Sequence, residues 1–333
     1  MGCYLAMDIG GTKTSGAVFS EDGSIVDDFI HITDSPTFQG EEAVYQNAKG
    51  VLDFLLQHFS LEKHELLGIG VGSPGPLNTQ QGLIVHAPLM GWKNFPLVKR
   101  LEADFCQPVC LDKDCNLGAL AEQRCGQAMG LQNVTYMTVS TGCGSGYVLN
   151  GTIYHGRSDG AGEIGHISLD PQGLPCPCGS RGCFELYASG SALNRIMRED
   201  LAGGSIGSMV FTMADKDPQK INGAILHQAA EAGDSYALNL LRQEGRYLGF
   251  GIATLCNLLD PDIVVLGGGV VKSRDYFHNE LMAALRQHCI HAITDDFVQY
   301  SQMNDRVVLY GAYYLIKENR GDKNAIGNIE RNS

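Results

Sequence analysis

Asp8-Ile9-Gly10-Gly11-Thr12-Lys13-Thr14 and Ser140-Thr141-Gly142-Cys143-Gly144-Ser145-Gly146 are the two stretches whose reading decides the fold. Each glycine turn is entered from a short apolar run, Cys3 to Asp8 in the first case and the residues from Tyr136 in the second. Each is left by another extended apolar run, Thr14 to Phe19 and the residues up to Leu149. Two extended runs around a glycine turn read as a hairpin. Two hairpins of like design, roughly 130 residues apart, imply a duplicated α/β fold whose halves each turn a glycine loop toward a shared cleft.

Outward from the first hairpin, a third strand is expected near Ser24 to Ile32. Glu41 to Phe59 carries Ala43, Val44, Ala48, Val51, Leu52, Leu55 and Leu56 at helical spacing. Leu66 to Val71 reads as a buried strand ending in Gly72-Ser73-Pro74-Gly75-Pro76. After a turn-rich stretch, Val109 to Asp112 reads as a strand that delivers Asp114 to the start of a helix, Leu117 to Cys125. Outward from the second hairpin, Ile221 to Leu259 is helical with a break near Gly233. Asp262 to Leu266 is a strand leading into Gly267-Gly268-Gly269, and Tyr276 to Cys289 is an amphipathic helix. The polar tail after Asn319 is expected to fray.

A length of 333 residues exceeds what one hydrophobic core fills, so two domains are expected. Apolar residues at 44% and charged residues at 18% suit a globular enzyme and exclude wholesale disorder. The longest apolar runs are far too short to cross a bilayer. Met1-Gly2-Cys3 enters a strand without a basic n-region, and Ala6 stands where a myristoylation signal needs Ser or Thr. Eleven cysteines without a signal peptide indicate a reducing cytoplasm, with thiols free or on metal. A formal charge of −13 and the lack of a basic patch disfavour a nucleic-acid partner, and none is expected. A negative chain still binds a phosphorylated ligand where backbone N–H groups and a magnesium ion supply the local positive field.

Those demands point to the glycines. Asp8 at a strand end followed by Gly10-Gly11-Thr12-Lys13 lets backbone approach phosphate oxygens while the carboxylate holds Mg²⁺. Such a turn alone is as often structural. With Thr141-Gly142-Cys143-Gly144 and Gly267-Gly268 it becomes a three-part nucleotide cleft. A separate cluster joins His166 to Cys176, Cys178 and Cys183 across the glycine-rich loop Gly173 to Gly182. One imidazole and three thiolates complete a tetrahedral zinc set, and a loop so poor in apolar side chains needs a metal to fix its shape. The alternative is that these are small buried thiols.

The chain resembles the ROK (repressor, open reading frame, kinase) sugar kinases of the actin-like ATPase superfamily over nearly its whole length. The resemblance rests on the Asp8 to Thr14 and Gly72 to Pro76 motifs, on Thr141-Gly142-Cys143-Gly144, on Gly162-Glu163-Ile164-Gly165-His166, and on Cys176-Pro177-Cys178-Gly179-Ser180-Arg181-Gly182-Cys183-Phe184-Glu185. It implies an α/β fold of two RNase-H-like domains around a hinge cleft. The smaller would span 1–121 plus a C-terminal helix at about 305–320, and the larger 122–304 with the zinc loop. ATP would lie on one wall and a hexose at the hinge.

The resemblance also implies roles. Asp114 would be the catalytic base; without it, an N-cap would be the plainer reading. Glu163, His166 and Glu185 would bind sugar hydroxyls, and His166 would serve twice, one ring nitrogen on zinc and the other toward the substrate. Lys113 stands where the family usually has Asn. An ammonium only donates, so the preferred hexose is expected to differ from plain glucose, as an allose-like C3 epimer or a glucose derivative. The alternative is a Lys113 that faces solvent or pairs with Asp112.

The expected activity is transfer of the γ-phosphoryl of ATP to a sugar hydroxyl, the 6-OH, by a homodimer that closes on its sugar. Polyphosphate as donor stays open. The family also contains sugar-sensing repressors with a helix-turn-helix before the first strand. Here that strand starts within a few residues of Met1, so the regulator is the second reading. A third, an inactive zinc-loop interaction module, would leave three glycine turns with packing alone to do.

Overall fold

The computed structural model describes residues 2–329, with side chains through Arg320. The first hairpin is β1 (Cys3–Ile9) and β2 (Lys13–Ser20), followed by β3 (Ile25–Asp34) and α1 (Glu41–His58). Next come β4 (Leu66–Ser73), the short strands β5 (Leu77–Asn78), β6 (Leu83–Ala87) and β7 (Trp92–Phe95), then α2 (Leu97–Phe105), β8 (Val109–Lys113) and α3 (Asp114–Cys125). The second hairpin is β9 (Val134–Val139) and β10 (Cys143–Leu149), with β11 (Thr152–Ile153) after it. Helices α4 (Gly190–Gly203), α5 (Met209–Met213), α6 (Gly223–Glu231) and α7 (Ser235–Leu259) lead to β12 (Ile263–Gly267), α8 (Arg274–His288), β13 (Val298–Tyr300) and α9 (Val307–Ile329).

The duplication expected from the hairpins is present in the sheet order. One five-stranded sheet runs β3-β2-β1-β4-β8 and the other runs β11-β10-β9-β12-β13. In both, the hairpin strands pair antiparallel, and the strand that enters the turn pairs on its other side with a parallel strand. Parallel strands need a crossover, which α1 supplies between β3 and β4 and the α4 to α7 helices supply between β11 and β12. β1 is buried at nearly every residue because helices cover both faces of its sheet. On one face α1 and α2 bring Val44, Leu52, Leu55, Leu101 and Phe105 against Leu5, Met7 and Ile9. On the other, α9 brings Leu309, Tyr313 and Ile316 against Tyr4 and Phe19.

Two close approaches depend on glycine. A Cβ on Gly70 in β4 would lie 1.9 Å from the Ala312 carbonyl oxygen, so α9 packs on the first sheet only over a bare backbone. Gly268, at φ +94°, would put a Cβ 2.4 Å from the Val139 carbonyl oxygen, so the turn after β12 can lie on β9 only as glycine.

α3 is buried from Cys115 through Gln123, as a helix between two layers must be. Leu117 packs with the first sheet and α9, while Ala119 and Ala121 pack with Val134, Tyr136 and Val265 of the second sheet. Full burial of a side chain such as Leu117 or Val265 contributes about 2 kcal/mol, and of an alanine methyl about 0.8 kcal/mol. The N-terminus of α3 therefore stands where the two sheets meet.

The observed α3 begins at Asp114, three residues before the expected Leu117, because its first turn is polar and carries no apolar period. The turn-rich stretch holds β5, β6, β7 and α2, and the Trp92 indole N–H donates to the Glu41 carbonyl to fix that layer. α9 runs past Asn319, where fraying was expected; its later glycines weaken a helix without ending it. Residues 330–333 of that tail lie outside the described residues.

Candidate functional site

Parallel strands deliver their last residues to one edge of a sheet, and this geometry builds the site. Asp8 lies beside Gly72 of β4, Gly72 beside Asp112 of β8, and Ser73 beside Lys113. In the second sheet Gly267 lies beside Thr138. These edges face one another across a cleft of about 610 Å³. Asp8, Gly10, Thr12, Lys13, Asp114, Ser140, Gly267 and Gly268 all line it. Gly11 does not line it, and Thr141, Gly142 and Gly144 do not either. A Cβ on Gly142 would come 2.9 Å from Glu185 Oε2, so the second hairpin turn leans toward the other cluster of polar residues.

The sequence reading missed three charged side chains that line the cleft. Lys272 and Arg274 bring positive charge at the start of α8, and Asp305 brings a third carboxylate before α9. The glycine run before a helix start was a signal for the first two; nothing local marked Asp305.

The electrostatics of the cleft follow from this crowding. Burial pushes the Asp8 carboxyl up to about 7, and the charges of Asp114 and Asp305 reinforce the shift. Asp114 is also raised, chiefly by burial, although the Cys115 N–H donates to its Oδ1 at 2.7 Å and Lys113 opposes the shift. Lys113, not Asp114, is the N-cap residue of α3. A neutral or metal-bound Asp8 suits the place physically, since hard carboxylate oxygen beside further carboxylates is what Mg²⁺ takes.

Beside Asp114 stand the other expected residues. Lys113 Nζ donates to Glu163 Oε1 at 2.6 Å and to the Ala161 carbonyl at 3.0 Å. Lys113 therefore neither faces solvent nor pairs with the Asp112 carboxylate. Asp112 Oδ1 accepts from the Lys113 backbone N–H and from Asn116 Nδ2, and Oδ2 lies 2.6 Å from His155 Nε2. That hydrogen bond raises the His155 pKa above its ordinary value against the effect of burial. Thr79 donates from N and Oγ1 to Asp159, so the loop after β11 is tied to the first half at three points. The sequence reading missed His155 and Asp159, which lie far from their partners along the chain.

His166, Cys176, Cys178 and Cys183 come together as expected, their ligand atoms all within 4.8 Å of one another. Cys178 Sγ and Cys183 Sγ are 3.6 Å apart, and Cys176 Sγ is 3.8 Å from His166 Nδ1. A tetrahedron with metal–sulfur bonds of about 2.3 Å has edges near 3.8 Å, which these two separations match, so one imidazole and three thiols at this spacing fit a zinc ion. Backbone turns, Cys176 N–H to the Ser180 carbonyl and Gly179 N–H to the Cys176 carbonyl, form the knuckle. Nδ1 faces the thiols and lies 3.6 Å from Glu185 Oε1, which leaves Nε2 for another partner.

Two like-ordered sheets around this cleft define the α/β architecture of the actin-like ATPases. Residues 4–319 match the model of the ROK family, and the chain belongs to that family. It is 37% identical over 287 residues to a glucokinase of Halalkalibacterium halodurans, covering 86% of this chain and 84% of that one. The crystal structure of a ROK family glucokinase from Streptomyces griseus in complex with glucose and AMPPNP superposes with a TM-score of 0.81 at 29% identity, covering 94% of this chain and 99% of that one. A xylose repressor of Bacillus subtilis is 29% identical over 286 residues, covering 84% of this chain and 67% of the repressor. Among the described residues no helix is long and apolar enough to cross a membrane.

Proposed function

We propose that this protein is an ATP-dependent hexose kinase that transfers the γ-phosphoryl group to a sugar hydroxyl, the 6-OH. The observation that carries this reading is the meeting of Asp114 with the Asp8 and Gly267 turns on one side and the Lys113–Glu163 pair on the other. The glucokinase relatives support it.

In this reading the acceptor hydroxyl approaches Asp114, whose burial makes it a stronger base than a solvated carboxylate. As the bond from the β,γ-bridging oxygen to the γ-phosphorus breaks and the sugar oxygen bonds to that phosphorus, the hydroxyl proton passes to Asp114 and ADP leaves. The Gly10 to Lys13 turn, Ser140 and the Gly267-Gly268 turn hold the nucleotide, with Lys13, Lys272 and Arg274 adding positive charge. Asp8 would hold Mg²⁺, which neutralises phosphate charge when bound. Glu163, His166 and Glu185 orient the sugar. His166, Cys176, Cys178 and Cys183 would hold Zn²⁺, which fixes the loop and the imidazole direction. The preferred hexose in this reading differs from plain glucose, because Lys113, which only donates, stands where the family usually has Asn. A hexose panel in which glucose far exceeds all others in kcat/KM would end that part of the reading.

The hinged units are residues 1–121 with the helix near 305–320, and 122–304, in a cytoplasmic protein. A homodimer is the proposed assembly, supported by Phe250, Leu258 and Ile290, which expose apolar surface on and beside α7 and α8. Sedimentation at the mass of one chain would refute it.

The sugar-responsive regulator is favoured by the repressor relative. ADP release with a panel of hexoses, set against mobility shift on DNA, separates the two. Asp114→Asn should lower kcat about 100-fold or more while sugar binding by calorimetry persists. Undiminished turnover in that variant would remove Asp114 from the chemistry.

A further inference from the structure

Lys113 is buried and its ammonium has more donors than the protein uses. The side chain is 7% exposed, and its stem lies on the Gly75 turn, where a Cβ would come 3.4 Å from Lys113 Cε. Three N–H bonds are available to an ammonium. One goes to Glu163 Oε1 at 2.6 Å and one to the Ala161 carbonyl at 3.0 Å; among the described residues nothing takes the third. Buried donors are seldom left without an acceptor.

Glu163 differs in exposure. Its side chain is 56% exposed, and Oε2 receives no hydrogen bond from the described residues. A pair kept only for stability would enclose both partners. Here the cation is enclosed and the carboxylate opens outward, close enough to Asp114 for both charges to act on it. The backbone of Lys113 is itself fixed, since its N–H donates to Asp112 Oδ1 at 2.7 Å and the Asp112 carboxylate is held by Asn116 and His155.

We propose that Lys113 and Glu163 read the acceptor sugar as one donor–acceptor unit. The free Lys113 N–H donates to the oxygen of one hydroxyl on the sugar, and Glu163 Oε2 accepts from the vicinal hydroxyl. This rests on the hexose kinase reading and adds the substrate class to it. An ammonium cannot accept, so the oxygen facing Lys113 needs no hydrogen of its own. Hexoses bearing either a free hydroxyl or a small ether at that position are accepted, and those lacking the oxygen are rejected.

The test measures kcat/KM with ATP and Mg²⁺ for glucose, its 2-, 3- and 4-deoxy analogues and the matching O-methyl ethers. It uses the full chain unaltered, as Lys113→Met, as Glu163→Gln and as the double variant. The unaltered protein should lose about 10- to 100-fold on removal of one oxygen, the range of a hydrogen bond to a charged group, and much less on methylation of the same oxygen. In Lys113→Met that penalty should fall to about threefold or less while the other positions keep theirs. Glu163→Gln should act at the neighbouring position instead.

Deoxy penalties that are the same in Lys113→Met as in the unaltered protein would overturn the proposal and give the third N–H to water. A methyl ether rejected as strongly as the deoxy sugar would overturn the substrate class. Should Lys113→Met fail to fold, Glu163→Gln, whose exposed side chain can be changed without opening the core, tests the pair: deoxy penalties unchanged at every position would overturn the donor–acceptor unit. Failure of the unaltered protein to phosphorylate any sugar would sink the kinase reading itself, a result distinct from kinase activity indifferent to Lys113.

Discussion

The crowding of Asp8 with Asp114 and Asp305 predicts how activity depends jointly on pH and on magnesium. Burial first, and the two neighbouring carboxylates next, place the Asp8 pKa at about 7 in the folded protein. The group is an acid with a raised pKa, so it is ionised above that value and neutral below it. Protons and cation compete for the same oxygens, so at low magnesium each pH unit below 7 costs about tenfold in cation affinity. Magnesium at about a hundred times its dissociation constant should move the acid limb of kcat/KM down by about two units. The terminal phosphate of ATP titrates near pH 6 and contributes a limb of its own, which the parent protein alone cannot separate.

Asp305→Asn supplies the separation. It removes one of the like charges that raise Asp8, so the limb at fixed magnesium should move to lower pH, while substrate protonation is unchanged. ADP should be measured directly by chromatography between pH 5 and 8.5, since coupling enzymes carry their own profiles. The limb belongs to the Asp8–Asp114 pair rather than to one group. Identical limbs in the parent and in Asp305→Asn, with no response to magnesium in either, would refute the assignment of Asp8 as the cation ligand.

Two further outcomes concern stability and metal. Glu244 on α7 is fully enclosed, neither carboxyl oxygen has a hydrogen-bond partner among the described residues, and burial pushes its pKa up from 4.5 to about 8. Folding should weaken as pH rises from about 4.5 to 8, by at most about 5 kcal/mol, because only the unfolded chain ionises the group there. Glu244→Gln should match the parent near pH 4.5 and outlast it increasingly toward pH 8; parallel urea midpoints across that range would contradict this. Chelation of the His166, Cys176, Cys178 and Cys183 site should lower Tm and raise KM for sugar about tenfold, with KM for ATP little changed. A chelated protein with an unaltered Tm and sugar KM would end the zinc assignment.

Much of this fold was legible because it is local. A glycine turn between two apolar extended runs specifies a hairpin through backbone freedom and side-chain alternation alone, and the repeated hairpin carried the duplication with it. The Cys/His cluster was legible for a similar reason, since its members lie within eighteen residues of one another, from His166 to Cys183. The small β5 to β7 sheet was not, because strands of two to five residues leave no period to detect. The polar first turn of α3 hid the true start of that helix.

Tertiary structure alone decided which charges meet. Nothing near Lys113 in sequence announces Glu163, fifty positions away, as its partner, nor His155 as the partner of Asp112. Asp305 reaches Asp8 only because α9 returns to pack on the first sheet, a contact that Gly70 permits. Turns and strands answer to the dihedral preferences of adjacent residues, whereas a carboxylate's pKa and a lysine's spare proton depend on atoms brought near by packing. The sequence therefore named the turns and the candidate ligands, and the packed cleft set how they are paired and charged.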